Sequence, residues 1–309
     1  MVPQLLSKAE IDQVISTIEL VDLTGASIEE IKEILRPLFT GYTQNTPMLS
    51  TGLDLYRGVM YNTKPDNISF LSYPPKELAK ENRASRKNHP FFYSATSREV
   101  PIFELGLAEG DTFVVSRWRT KKELLVNNIG YTEENFKTLN SNRESPKWDS
   151  ADNDTATKDE LNSYVRNYFA KTFSQIVSKN NLNLYKLTIT IAEKHYSEDE
   201  NSNVLFGGIL YPTIPMNANG DNLVIRQSFI DEGNLEFMEA EWIEIKNVHD
   251  FKFDVDVLDW SNSISSTGKI EWKGRLQLWD VFPDEGFYFA TENGRRIGKN
   301  KYGETIEPY

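Results

Sequence analysis

The feature that most constrains the fold is a set of segments in which polar and apolar residues alternate. Three of them lie toward the C-terminal end, and they read FMEAEWIEIKNV, FKFDVDVLDW and KIEWKGRLQLWDVF. Alternation with a period of two is typical of strands with one face buried and one face in water, as in antiparallel sheets. Shorter segments of the same kind begin at Leu53, and they read LDLYRGVMY, FFYSAT, DTFVVSRW and LLVNNIGY. The pattern predicts a protein built on antiparallel strands.

Helical patterns precede these strands. Residues 8–39 predict two helices, because apolar residues from Ile11 to Ile18 recur at helical spacing. The second helix is expected to begin at Ser27, since Glu30 three residues later completes a capping-box pattern. We expect Pro37 to end or kink that helix.

The middle of the chain mixes both patterns. We expect REVPIFELGLAEG to be a helix closed by Gly110, and residues 140–160 to be a polar surface loop. The segment LYKLTITIAEKHY is compatible with a helix or a strand, and its β-branched residues favour a strand. Strands with turns are expected in FGGILYPTIP and NANGDNLVIRQSF. Residues 160–180 predict an amphipathic helix. Its apolar side is formed by Leu161, Val165, Phe169, Phe173 and Ile176.

The fold class that follows is α+β. The chain is 39% hydrophobic and 12% aromatic, which is sufficient for a substantial core. Helix and strand patterns both occur, without an internal repeat. We divide the chain into an N-terminal helical extension (residues 1–50), a central domain (51–230) and an acidic β-rich region (231–309) packed on the core.

Several kinds of chemistry are excluded or unsupported. The absence of cysteine excludes disulfide frameworks, thiolate metal sites and a Cys nucleophile. Neither a GxGxxG nor a P-loop motif is present. The histidines His89, His195 and His249 form no HExxH motif, and DNDT lacks the glycine and closing Glu of a calcium loop. We therefore predict no metal and no prosthetic group.

The charge distribution indicates which ligands suit the protein. A net charge of −12 argues against binding to nucleic acid or to an anionic membrane. Residues 51–130 run against this background with a net charge of +3, which suits an anionic small molecule. No run of about 18 apolar residues predicts a membrane span, and the start lacks a signal-peptide pattern, so a cytoplasmic location is expected.

Five residues in the central domain form a candidate site. They are Arg57 in LYRG, Arg83 in NRAS, Tyr93 in FFYSA, Glu104 in IFELG and Thr213 in YPT. Taken singly, the arginines could be surface charges and the tyrosine a core residue. The glutamate could be a residue of the first helical turn, where the helix dipole favours an acid. Glu104 is nevertheless a carboxylate inside an apolar run.

The order of these motifs resembles the RES domain family, which is named for its Arg, Glu and Ser positions. The resemblance covers about residues 53–230 and follows the order YRG, NRAS, FFYSA, IFELG, FGGILYPT and GDNLVI. Three departures stand out. NRAS lacks the family's Gly and Asn, IFELG lacks its Thr-Ala pair, and Thr213 replaces the serine while keeping a hydroxyl.

The resemblance implies an ADP-ribosyltransferase-like core of antiparallel strands with helices. It also implies NAD as the substrate, cleaved at the nicotinamide–ribose bond, and a toxin role with an antitoxin or immunity-type protein as partner. Glu104 would be the catalytic acid, assisted by Arg57 and by the hydroxyl of Thr213. The residues implied in NAD binding are Tyr56, Arg57, Arg83 and Tyr93.

The chemistry of NAD is compatible with this set. Guanidinium groups bind a pyrophosphate with bidentate geometry, and an aromatic ring can stack on the cationic nicotinamide. A carboxylate stabilises the positive charge that develops on the ribose, and the neutral leaving group needs no general acid. The acceptor stays open between water, phosphate and a macromolecule. A nucleotide-binding or protein-interaction module without activity on the same scaffold stays open as well.

Overall fold

The computed structural model describes residues 6–44, 46–145, 159–178, 180–196, 206–249, 252–275, 287–292, 295–300 and 304–306. A nine-stranded sheet dominates it. In chain order its strands are β1 (Met48–Leu49), β2 (Asp54–Met60), β3 (Phe91–Ala95), β4 (Thr112–Thr120), β5 (Leu124–Asn128), β6 (Gly208–Pro212), β7 (Asp221–Arg226), β8 (Leu235–His249) and β9 (Lys252–Ser261). Their spatial order is β1-β5-β6-β7-β3-β2-β4-β8-β9, and every neighbouring pair is antiparallel except β5–β6.

Seven α-helices accompany the sheet in the described residues. They are α1 (Lys8–Glu19), α2 (Ile28–Leu35), α3 (Val100–Glu104), α4 (Glu133–Thr138), α5 (Glu160–Phe173), α6 (Tyr185–His195) and α7 (Gln227–Asp231). A second sheet contains β10 (Phe287–Glu292), β11 (Arg295–Asn300) and β12 (Thr305–Ile306). No helix of the described residues is both long and apolar enough to cross a bilayer. The predicted mixture of helices with a mainly antiparallel sheet is confirmed.

The two N-terminal helices begin and end as the sequence predicts. Ser27 and Glu30 form the expected capping box, in which each side chain accepts a hydrogen bond from the other residue's backbone N–H. Helix α2 then ends at Leu35, and Pro37 stands in the 3₁₀ turn Arg36–Phe39 that follows it. A proline cannot supply the N–H that a continuing α-helix needs, which accounts for the boundary.

The predicted strand in LYKLTITIAEKHY is wrong, because this segment forms helix α6. Its residues Leu187, Ile189 and Ile191 are all buried. The hydroxyls of Thr188 and Thr190 donate to backbone carbonyls one turn earlier, at 3.1 and 2.8 Å. A helix that is buried on several sides gains enough from packing to offset the low helix propensity of β-branched residues.

Other boundaries also differ from the expectations. Helix α3 ends at Glu104, and Gly106 has a φ of 60° that suits the chain reversal, so Gly110 does not close the helix. Helix α5 ends at Phe173, which leaves Ile176 exposed and outside the apolar face.

Two predicted segments fall largely outside the described residues. The last predicted strand, KIEWKGRLQLWDVF, forms only isolated bridges in its described part and is not described over residues 276–286. Most of the predicted loop, residues 146–158, is likewise not described.

The sheet carries a core on each face. On one face, helices α1, α2, α5 and α6 pack against β6 and β7, with Ile31, Phe169 and Ile191 meeting Ile209 and Val224. On the other face, residues of β2, β3, β6 and β7 pack with side chains from the connecting segments. This second cluster includes Leu55, Phe92, Leu71, Tyr131, Phe136, Leu223 and Ile270.

The sheet opens between β2 and β3. These neighbours share a single residue pair, Tyr56 with Ala95. Strand β2 pairs with β4 along its full length, and β3 does so with β7. Two strands that pair at one point leave a gap in the backbone ladder, where side chains, water or a ligand can bind the free backbone groups.

The burial of α6 predicts a difference in stability between two identical substitutions. Ile191→Ala should lower the free energy of unfolding by about 2 to 5 kcal/mol, because it leaves a cavity in the core. Ile176→Ala, at a residue 75% exposed, should change it by less than about 0.5 kcal/mol. Equal losses in urea unfolding would contradict the position of α6.

Candidate active site

A cavity of about 320 Å³ lies where β2 and β3 separate. Its walls come from these two strands, from α3 and from the segment before β3. The residues proposed from the sequence that line it are Tyr56, Arg57, Arg83, Tyr93 and Glu104. The structure therefore brings together residues that are up to 48 positions apart in the chain. Thr213, the sixth proposed residue, is absent from the described cavity lining and contacts Glu104 instead.

Arg57 spans the gap between the two strands. Its Nη1 donates to the main-chain oxygen of Tyr93 on β3 at 2.8 Å, and its Nε donates to the main-chain oxygen of Ser72 at 3.1 Å. The guanidinium lies 5.3 Å from the centre of the Phe92 ring. Burial lowers the pKa of Arg57 to about 10, so the group remains cationic at neutral pH. Arg57 thus replaces missing backbone contacts and places a positive charge in the cavity.

Arg83 belongs to the lip segment, which we define as residues 82–89. Its Nη1 donates to the main-chain oxygen of Phe173 at the end of α5. Its guanidinium carbon lies 5.9 Å from the centre of the Phe173 ring. Within the described residues, Arg83 and Arg57 form no ion pair with a carboxylate, whereas Arg86 and Arg143 do. Two uncompensated cations in one cavity favour an anionic ligand.

Tyr93 holds the lip segment to β3. Its hydroxyl accepts a hydrogen bond from the backbone N–H of Ala84 at 3.2 Å and lies 2.9 Å from the Ser85 Oγ. Burial raises the pKa of Tyr93 well above its usual value, so the phenol is neutral. With its hydroxyl occupied, Tyr93 offers a ligand its ring.

A second anchor ties the lip segment to the N-terminal helices and α6. Arg86 pairs with Glu193 on α6 and with Glu29 on α2, and Lys32 also donates to Glu193 at 2.8 Å. Burial acts to raise the pKa of Glu193, but the hydrogen bonds from Arg86 and Lys32 outweigh it and lower the pKa overall. Glu193 is therefore charged and joins three elements.

Glu104 reaches the cavity because α3 lies very close to the sheet. A Cβ at Gly58 on β2 would stand 2.8 Å from the Pro101 Cβ, and a Cβ at Gly220 would collide with Val100. Glycine at both positions permits this approach. Val100 and Pro101 are buried, whereas Glu104 at the last position of the helix is exposed. The apolar run around the acid is therefore the packing surface of α3.

The two oxygens of the Glu104 carboxylate differ. Oε1 accepts hydrogen bonds from the Thr213 hydroxyl and from the Asn222 Nδ2, each at 2.6 Å. Oε2 forms no hydrogen bond with any described residue. Thr213 is fully buried behind the carboxylate, and Asn222 lines the cavity beside it. One oxygen is fixed in place, and the other is left for a ligand.

Sequence reasoning missed several residues around the cavity. Asn222 and Tyr211 stand in the motifs GDNLVI and FGGILYPT, and polar residues within short apolar strands were the available signal. His89, Ser85 and Tyr185 also line the cavity, and nothing in their sequence context distinguishes them. Among described residues, no cluster of three or more His, Asp or Glu side chains is placed to hold a metal.

The Glu193 anchor predicts a pH dependence of stability. Because the pKa of Glu193 is lowered in the folded state, its contribution is present above its ordinary value of 4.5 and is lost as the pH falls through the folded value. Glu193→Gln should lower the free energy of unfolding at pH 7 by about 1.5 to 3 kcal/mol, since it removes hydrogen bonds to a charged group. The loss should shrink as the pH falls below about 4.5, because Glu193 of the unfolded wild-type chain then binds a proton, and it should disappear once the pH is below the lowered pKa of the folded state.

Urea unfolding at pH 7 and at about pH 3.5 measures both effects. The exposed Glu109, which forms no hydrogen bond or ion pair with a described residue, provides the control substitution Glu109→Gln. An equal loss for Glu193→Gln at the two pH values would contradict the assignment.

Comparison with known proteins identifies no relative of the chain. No family model matches it, and neither does any curated protein or solved structure. A function for this protein must therefore be inferred from the chemistry of the cavity.

Proposed function

We propose that the protein cleaves NAD at the nicotinamide–ribose bond, as an RES-domain-like enzyme with an ADP-ribosyltransferase-like core. The observation that carries the proposal is the Glu104 carboxylate, which is fixed through one oxygen in a cavity with two uncompensated arginines. A dinucleotide offers a pyrophosphate for the cations and a glycosidic bond for the carboxylate.

The arginines have donors to spare for phosphate. Arg57 uses Nε and Nη1 in the protein, and Arg83 uses Nη1. The Nη2 of each forms no hydrogen bond with a described residue. Charge-assisted hydrogen bonds from guanidinium to phosphate are among the stronger ones in proteins, so these donors suit the pyrophosphate.

The carboxylate acts on the bond that breaks. When the C1′–N bond of NAD cleaves, its electron pair passes to the pyridinium nitrogen, and nicotinamide leaves as a neutral molecule. Positive charge then develops on the ribose, and the free Oε2 of Glu104 can stabilise it or hold a ribose hydroxyl. The Tyr93 ring can stack on the nicotinamide cation before cleavage. Water is the simplest acceptor, which would add its oxygen to C1′ and release one proton.

Thr213 and Asn222 support this step through Glu104. Both donate to Oε1, so they orient the carboxylate. We assign them as positioning residues. Thr213 retains the hydroxyl that the resemblance implies at this position, and its methyl group is accommodated in a fully buried site.

Removing the charge of Glu104 should abolish turnover. Glu104→Gln preserves the size of the side chain but removes the charge that stabilises the ribose, so nicotinamide release should fall by about 100-fold or more. Chromatographic measurement of nicotinamide from NAD tests this. Glu109→Gln, at an exposed carboxylate outside the cavity lining, should keep the wild-type rate.

The same assay contains the outcome that would overturn the proposal. Wild-type protein that leaves NAD intact is not an NAD-cleaving enzyme. If NAD nevertheless raises its melting temperature, the cavity is a nucleotide-binding site without this activity.

Two substitutions of Thr213 test its positioning role. Thr213→Ser keeps the donor to Glu104 and should retain kcat within about threefold. Thr213→Val has nearly the same shape without the donor, and kcat should fall by about tenfold with little change in KM, because the interaction acts on the reacting carboxylate. Steady-state kinetics with NAD gives both constants. A matching loss in Thr213→Ser would point to packing instead.

A further inference from the structure

Tyr211 is a cavity residue that the proposed reaction does not use. It lies on β6, where it pairs with Asn222 of β7, and it is 5% exposed. Its ring packs edge-on against Phe173, with 5.3 Å between ring centres. The tyrosine therefore lines the cavity in an orientation fixed by packing, next to the residue that holds Glu104.

The hydroxyl of Tyr211 forms no hydrogen bond with the described residues. In this it differs from Tyr93, whose hydroxyl is engaged by Ala84 and Ser85 in the same cavity. Because Tyr211 lines the cavity, water or a ligand can supply the partner that the described residues do not. A phenylalanine would keep the packing against Phe173, so no contact among the described residues requires the hydroxyl, and a ligand can use it.

The protonation state limits what this hydroxyl can do. Burial raises the pKa of Tyr211 well above its ordinary value, and the Glu104 carboxylate acts in the same direction. The phenol keeps its proton at neutral pH. It can therefore donate a hydrogen bond to an acceptor oxygen, whereas it is unsuited to act as a base.

We infer that the Tyr211 hydroxyl binds the substrate by donating a hydrogen bond to a neutral oxygen close to the bond that Glu104 addresses. This inference rests on the proposed function. NAD carries two such oxygens near that bond, the carboxamide carbonyl of nicotinamide and a hydroxyl of the adjoining ribose. Tyr211 would then be a specificity-determining residue, because a ligand that lacks the acceptor would leave the phenol unpaired.

Calorimetric titration on the Glu104→Gln protein, which is expected not to turn NAD over, tests the inference. Adding Tyr211→Phe should raise the Kd for NAD by about 3- to 10-fold, the usual effect of one neutral hydrogen bond. The melting temperature without ligand should stay equal or rise, because no protein partner is lost. ADP-ribose separates the two acceptors. If Tyr211→Phe raises the Kd for both ligands, the acceptor is the ribose hydroxyl. If it raises the Kd for NAD alone, the acceptor is the carboxamide.

A matched control removes a hydroxyl elsewhere. Tyr164 on α5 donates to the Asp12 carboxylate on α1 at 2.7 Å, outside the cavity lining. Tyr164→Phe should leave the Kd unchanged and lower the melting temperature slightly.

Three results would overturn the inference, and they are distinguishable. An unchanged Kd for both ligands in Tyr211→Phe overturns it while the proposed function stands. A lower melting temperature in Tyr211→Phe, comparable with that of Tyr164→Phe, shows a structural hydrogen bond instead. A parent protein that binds neither ligand overturns the proposed function and this inference together.

Discussion

The structure depends on the incomplete pairing of β2 and β3. A sheet with a gap in its hydrogen-bond ladder needs other polar contacts at that point, and Arg57 supplies one by donating to the main-chain oxygen of Tyr93. The gap is also the cavity, so the residue that joins the strands carries the charge proposed to bind phosphate. Substitution of Arg57 is therefore expected to affect folding and binding together. Substitution of Glu104, at the exposed end of α3, tests the cavity with less effect on folding.

Charge in the cavity is set by which partners the arginines have. Elsewhere in the described part, Arg117 pairs with Asp54 and Glu239, and Arg98 pairs with Glu241. Arg57 and Arg83 are held by backbone oxygens, which fix their positions without cancelling their charge. In a protein with a net charge of −12, this arrangement places two cations without a carboxylate partner in the cavity. Glu104 is likewise held in position without being fully occupied, because Thr213 and Asn222 both donate to the same carboxylate oxygen.

Local patterns predicted the local features well. The capping box at Ser27, the end of α2 before Pro37 and most of the strands follow from interactions between residues close in the chain. The β-branched residues of α6 locally favour a strand, and burial of the segment against α2 and α5 overrides that preference. Nothing in the sequence beyond its motif indicates a role for the Tyr211 hydroxyl, because whether the hydroxyl has a hydrogen-bond partner depends on the assembled cavity.

The sequence by itself determined the mixed class, the antiparallel strands and the candidate residues that we propose bind and cleave a dinucleotide. Only the tertiary structure decided that β2 and β3 pair at Tyr56 and Ala95 alone, and that Glu104 meets Asn222 and Thr213. The physical reason is the range of the interactions involved. Propensity, capping and alternation act over a few residues, whereas the contacts to Glu104 join residues more than 100 positions apart and depend on how closely α3 packs on the sheet.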